Sequence, residues 1–163
     1  MTWKNMLQLA AAAAVLAGLI WVAMYVYWHL KITGAIRAME NQGGGVKGGV
    51  VGNREGYNMP DEPLDDLEDA GCRALPYLVS AMFSTKNGAA TMACVDLIKK
   101  LTAPEGPTAS GTIRSECPMV RLQLDDLAEE RARKCEPIRT WWNGHAKEYH
   151  QNWRLYTGHC PRK

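Results

Sequence analysis

The chain has 163 residues, with 19 Lys/Arg against 17 Asp/Glu, a net charge of +2. That length predicts one domain with appendages, and the near-balance of charge gives no strong field to gather nucleic acid. The basic excess is confined to residues 1–59, where Lys4, Lys31, Arg37, Lys47 and Arg54 are set against Glu40 and Glu55; the other 104 residues hold 14 basic and 15 acidic groups, a composition that argues against a nucleic-acid-binding face.

The first element is "MLQLAAAAAVLAGLIWVAMYVYW", Met6–Trp28, which carries no charge and has Gln8 as its one strongly polar side chain. At about 1.5 Å per residue, a helix of this length spans a hydrocarbon core of about 30 Å. Trp3 at one end and "WVAMYVYW" at the other place aromatic rings where a membrane interface anchors them. A cleaved signal peptide has a shorter apolar core followed by small residues, whereas this run is longer and ends in bulky rings. The sequence therefore predicts an uncleaved single-pass anchor in the lipid bilayer, within an N-terminal region 1–40.

Orientation draws on two opposed signals. Lys31 and Arg37 outnumber Lys4 across the span, which favours a cytoplasmic C-terminal region. Five cysteines (Cys72, Cys94, Cys117, Cys135, Cys160) are easier to understand in an oxidising compartment, where two bridges and one spare thiol would fit. The reading adopted is an inner (cytoplasmic) membrane protein with its C-terminal domain exported to the periplasm.

Next comes "NQGGGVKGGVVGNREGYN", Asn41–Asn58, with seven glycines in eighteen residues. Glycine costs the most entropy to order, so the segment reads as a linker, with a root-mean-square reach of about 20–25 Å. It lacks the Gly-Lys-Ser/Thr ending of a phosphate-binding loop. In this reading 41–59 is a tether that lets a domain over 60–163 move off the bilayer.

From Pro60 the apolar period is helical. "LDDLEDAG" predicts a short acidic helix closed by Gly71. "CRALPYLVSAMF" places Cys72, Leu75, Leu78, Val79, Met82 and Phe83 on one face. After the turn "STKNG", "AATMACVDLIKKL" places Ala90, Ala93, Cys94, Leu97, Ile98 and Leu101 on another. Lys99 and Lys100 end it with the charge that a helix C-terminus favours. Thr102–Pro118 holds three prolines and reads as a long loop. No stretch alternates with period two, so the fold class is all-α.

The stretch "DLEDAGCRALPYLVSAMFSTKNGAATMACVDLIKKLT" resembles a HEAT-type helical repeat. The matching features are a Gly closing one helix, a small-x-Leu-Pro-x-Leu-Val opening in the next, and an Ala-rich partner ending in Leu-x-x-Leu-Thr. "AEERARKCEPIRTWW" is similar to the closing helix that follows such repeats in bacterial proteins. The resemblance covers about half the chain and implies a small HEAT-like domain that holds other proteins on its helix-pair surfaces. It also implies that Pro76 marks a small kink characteristic of the family. The sequence departs from the pattern in carrying one repeat and "TKNGAATM" in place of the usual aspartate-valine-arginine signature. Stacked repeats need about three units for stability, so a single one must lean on the final helix, on disulfides or on a partner.

The last element carries the densest chemistry. "IRTWWNGHAKEYHQNW", Ile138–Trp153, holds three of the six tryptophans and two of the four histidines. With Leu124–Trp153 laid on one helix, Leu124, Leu127, Ala128, Ala132, Cys135, Ile138, Trp142, Ala146, Tyr149 and Trp153 form a core-facing stripe. Pro137 is a candidate kink or break. Arg139, Trp141 and His145 lie at the edge of the stripe, with His145 four residues from Trp141 and within its reach. Trp and Arg are favoured at interaction hot spots, so these three residues are the predicted partner-binding patch.

Chemistry is a weaker reading. His145, Glu148, His150, His159 and Cys160 are candidate metal ligands, but five-residue spacing makes His145 and His150 diverge on a helix, unlike the four-residue spacing of zinc helices. Neither Cys135 nor Cys160 sits at a spacing that pairs it with a histidine. The chain is therefore read as a non-enzyme without a cofactor or a metal: a membrane-anchored interaction or scaffold module for an unidentified protein partner. Two alternatives stand beside it. One is an accessory subunit of a larger membrane complex, packed through the small residues of "AAAAAVLAG". The other is a membrane-bound metal-dependent hydrolase.

Overall fold

The computed structural model describes residues 3–42, 59–103 and 117–150. Five α-helices occur in the order α1 (Trp3–Gln42), α2 (Asp61–Ala70), α3 (Leu75–Ser84), α4 (Gly88–Leu101) and α5 (Ala128–His150), with a 3-10 turn at Gly71–Arg73. No strand is present among the described residues, and the fold is all-α. The chain divides into two compact units, residues 1–31 and 32–163.

In the first unit α1 is long and apolar enough to cross a membrane, and none of its most apolar window is buried. Leu7, Leu16, Leu19 and Ile20 are all exposed. A helix that is apolar all round, with none of that surface buried, has the length and composition of a membrane span or a signal sequence. Trp21, Tyr25 and His29 recur every four residues and stack along one side, with ring centroids 6.2 and 6.3 Å apart. The Lys31 ammonium lies 5.5 Å from the centre of the Trp28 ring.

The second unit begins inside the same helix. Ile32, Ala35 and Met39 are buried, at spacings of three and four that place them on one face. Residues 32–42 therefore belong to the compact body of the domain. Most of the glycine-rich segment expected as a tether, residues 43–58, lies outside the described residues.

α2 packs on α4, and α3 packs chiefly on α4 and next on α5. α2 buries Leu64 and Leu67 and ends as the sequence predicts. Gly71 takes φ 57°, a positive value that favours glycine, and its N–H donates to the Glu68 carbonyl. The expected kink at Pro76 is replaced by a restart: the 3-10 turn intervenes, α3 opens at Leu75, and Pro76 falls in its first turn. There the missing N–H has no helical partner to lose. Cys72, Leu75, Leu78, Val79 and Met82 are buried as their spacing predicts, and Phe83 is half-buried.

All six predicted stripe residues of α4, from Ala90 to Leu101, are buried. Asn87 caps this helix, its side-chain oxygen accepting from the N–H groups of Ala89 at 3.0 Å and Ala90 at 3.4 Å. At the other end the Thr102 hydroxyl donates to the Ile98 carbonyl at 2.7 Å. Lys100 pairs with Glu68 of α2 at 2.5 Å.

The expectation for the last helix is corrected at its start. α5 begins at Ala128, which is exposed, and Leu124 and Leu127 are 47% and 75% exposed instead of core. Cys135, Ile138, Trp142 and Tyr149 are buried as expected, whereas Trp153 lies outside the described residues. The helix runs through Pro137 without dividing. Pro137 is exposed, so water can satisfy the carbonyl that its missing N–H leaves free.

The cysteines also differ from expectation. Cys94, Cys117 and Cys135 are buried and take part in no disulfide, so the two bridges expected among five cysteines are not formed. Cys72 is disulfide-bonded.

Candidate interaction surface on the last helix

The three predicted patch residues fall in two places. Trp141 and His145 meet: their rings stack at 5.3 Å and 20°. The His145 ring nitrogen Nδ1 lies 2.8 Å from the Trp141 carbonyl. A carbonyl can only accept, so Nδ1 carries the hydrogen and Nε2 keeps its lone pair in the neutral ring. Arg139 lies elsewhere. Its guanidinium sits 3.6 Å from the centre of the Phe83 ring on α3, and it pairs with Glu136 at 3.4 Å. Two positions apart on a helix is about 200° of rotation, so Arg139 and Trp141 flank the buried seam on opposite sides.

Trp141 joins the patch to the core. Its centroid lies 6.4 Å from that of Trp142 and 5.9 Å from that of Tyr149, while Trp142 and Tyr149 stack at 5.9 Å and 29°. Trp142 and Tyr149 are buried and Trp141 is half-buried. The aromatic cluster thus grades outward from Tyr149 and Trp142 to Trp141 and His145. Burial, with the nearby Glu148 carboxylate, pushes the Tyr149 hydroxyl up to about 12, so this ring stays neutral and apolar at physiological pH.

The thiols suit packing and not nucleophilic chemistry. Burial raises Cys94 and Cys117 to about 12 and Cys135 to about 11. The reactive species is the thiolate, which these surroundings disfavour. Among the described residues no three His, Cys, Asp or Glu side chains are grouped to hold a metal. The side chain of His150 and the whole of His159 and Cys160 lie outside the described residues.

A second polar group has no signature in the sequence. Asp126 is buried and accepts from Lys134 at 2.6 Å and from the Gln123 N–H at 2.8 Å. Lys134 also pairs with Glu130 at 3.1 Å. The hydrogen bond from Lys134 is the main cause holding the Asp126 carboxyl below its usual range, with the Gln123 N–H next. Reciprocally, Asp126 first and Glu130 second raise the Lys134 ammonium. Arg131 is buried beside them, donating to the Asp126 carbonyl and, at 2.8 Å, to the Lys86 carbonyl. Arg131 lies on the seam of α5, seven residues before Ile138. Its charge hides it from any apolar periodicity, and its partners are backbone carbonyls that no spacing reveals.

No protein-family model, curated protein or solved structure matches the chain.

Proposed function

We propose that this chain is a single-pass, membrane-anchored protein-interaction module, in which α1 enters the lipid bilayer through Met6–Trp28 and the second unit presents a binding surface. The observation that carries this reading is the pairing of an unburied apolar helix with a separately packed helical body. The α3–α4 pair, with α5 packed on it, supports the HEAT-like reading of that body. The neutral thiols and the absence of a metal-ligand group among the described residues give no support to the hydrolase alternative.

The partner-binding residues are Arg139, Trp141 and His145, with Trp141 and His145 as one contact and Arg139, braced on Phe83, as another. Replacement of Trp141 by Ala is expected to reduce recovery of the partner in mild detergent while the domain keeps a cooperative melting transition. A fall of many degrees in Tm would make Trp141 a core residue and remove it from the patch. A partner recovered only with α1 intact would instead favour an accessory subunit packed through its membrane helix.

The Cys72 bond supports an inner-membrane protein with an exported domain. Because Cys94, Cys117 and Cys135 are buried, a topology probe needs a new thiol, and Met119 is 89% exposed. Met119→Cys is expected to react with a membrane-impermeant maleimide at the outer face of the inner membrane in spheroplasts. Labelling only after lysis would reverse the orientation. An N-terminus found beyond the apolar run would turn the anchor into a signal sequence.

A further inference from the structure

The turn between α3 and α4 is tied to two other parts of the second unit. Asn87 uses the two ends of one amide on two helices. Its oxygen caps the start of α4, and its Nδ2 donates to the carbonyls of Glu40 at 3.3 Å and Met39 at 3.5 Å. Those carbonyls belong to the last four residues of α1, which have no partner within their own helix. One residue earlier, the Lys86 carbonyl accepts from Arg131 of α5. One residue later, a Cβ on Gly88 would come within 3.0 Å of the Leu124 carbonyl. The turn is therefore held between the end of α1 and the start of α5.

We propose that the Thr85–Gly88 turn is a conformational coupling joint that passes the state of the last turn of α1 to the segment leading into α5. That segment carries Met119, Leu124 and Leu127, which are the exposed large apolar side chains of the second unit among the described residues. The physical reason is shared backbone. Residues 86, 87 and 88 are consecutive, so the turn has few independent torsions with which to release one neighbour and keep the other. Coupling of this kind is reciprocal: each side must feel a change made at the other.

Hydrogen exchange on the full chain in detergent micelles tests this with two substitutions. Asn87→Asp keeps a side-chain oxygen that caps α4 as well as Asn does, but it removes the donor and sets a carboxylate against two carbonyls. Arg131→Met cuts the tie from the turn to α5 without touching α1. The joint requires Asn87→Asp to speed exchange at 34–42 and also at 123–131, and Arg131→Met to do the same in reverse. Each rise is expected to be about fivefold or more, the lower end of typical coupling, and to exceed any rise in α2. Effects confined to each residue's own side would overturn the proposal, as would a rise no greater than that in α2, which would report only global destabilisation. If Arg131→Met does not fold, Arg131→Lys serves, since one ammonium cannot reproduce a guanidinium bonded to two carbonyls.

Discussion

Residues 3–31 and 32–42 share one helix, yet their surroundings have little in common. The first stretch exposes its apolar side chains on every side, and the second buries Ile32, Ala35 and Met39. Local propensity does not separate them sharply, since both form helix and both hold Ala and Met. What differs is the pattern: uniformly apolar in the first, apolar on one face in the second. A helix of the first kind is stable in hydrocarbon, and one of the second kind needs a protein core. A continuous helix can therefore carry an uncovered apolar stretch and a core-facing stretch in succession.

The sharpest way to break that contrast is to place the same charge in each stretch. Met39→Asp buries a carboxylate at a site with 0% exposure and is expected to remove more than about 4 kcal/mol of domain stability. Cooperative melting should be lost while the chain stays in the membrane fraction. Leu19→Asp is expected to do the opposite. A charge at the centre of a span costs about 2.5–3.5 kcal/mol on insertion scales, so membrane retention falls and the domain transition stays. Equal effects of both on domain melting would erase the distinction.

Adjacent tryptophans repeat the contrast on α5. Trp142→Ala is expected to cost about 3–5 kcal/mol, the range for a large ring in a core. Trp141→Ala should cost less than half of that by denaturant titration. A reversed order would put the seam on the wrong side of the helix.

Legibility in the sequence follows the same division. Where burial comes from apolar side chains at regular spacing, as on α4 from Ala90 to Leu101, the pattern identifies the core face residue by residue. Gly71 is readable as a helix stop because a positive φ favours its residue type. The failures lie where polar atoms or distant backbone decide. Leu124 and Leu127 continue the α5 stripe on paper, but Asp126, bonded to Lys134 and the Gln123 N–H, holds the chain in a turn there. Arg131 is core because two carbonyls meet it. Residues 32–42 carry an amphipathic spacing, but which body covers Ile32, Ala35 and Met39 depends on tertiary packing that no local pattern states. The candidate patch is legible only in part: the Trp141–His145 pair follows from four-residue spacing, whereas the Arg139 contact with Phe83 depends on how α3 and α5 meet.

A smaller effect separates Asp126 from the exposed carboxylates of α2. The folded-state pKa of Asp126 is depressed, chiefly by Lys134. Its contribution is therefore present above the unfolded-state value near 3.8 and is lost as pH falls through the lower folded value. Melting temperature should drop with acidification below about pH 4, and Asp126→Asn should be less stable at neutral pH with a flatter acid limb. Asp65→Asn, on the exposed side of α2, is the control for the loss of one carboxylate. An identical limb in all three proteins would remove the Asp126 cluster from the acid response.

The smallest effects concern two glycines in helices, where the same substitution should change sign with its surroundings. Gly144 lies in α5, and a Cβ added there would meet nothing within 4 Å, so Gly144→Ala should stabilise by about 0.5–1 kcal/mol through helix propensity alone. Gly88 opens α4 against the Leu124 carbonyl, where a Cβ would approach to 3.0 Å. That contact is with backbone, which cannot swing aside as a flexible side chain would. The propensity gain is also small at the first helical position, where the intrahelical hydrogen bonds are not yet formed. Gly88→Ala should therefore be neutral to destabilising, by up to about 1–2 kcal/mol, the usual range for an overpacked contact. Chemical denaturation of the two variants side by side reads the difference. Stabilisation of both would mean that the 124–127 segment yields freely, and that the close approach at Gly88 places no constraint on where α5 begins.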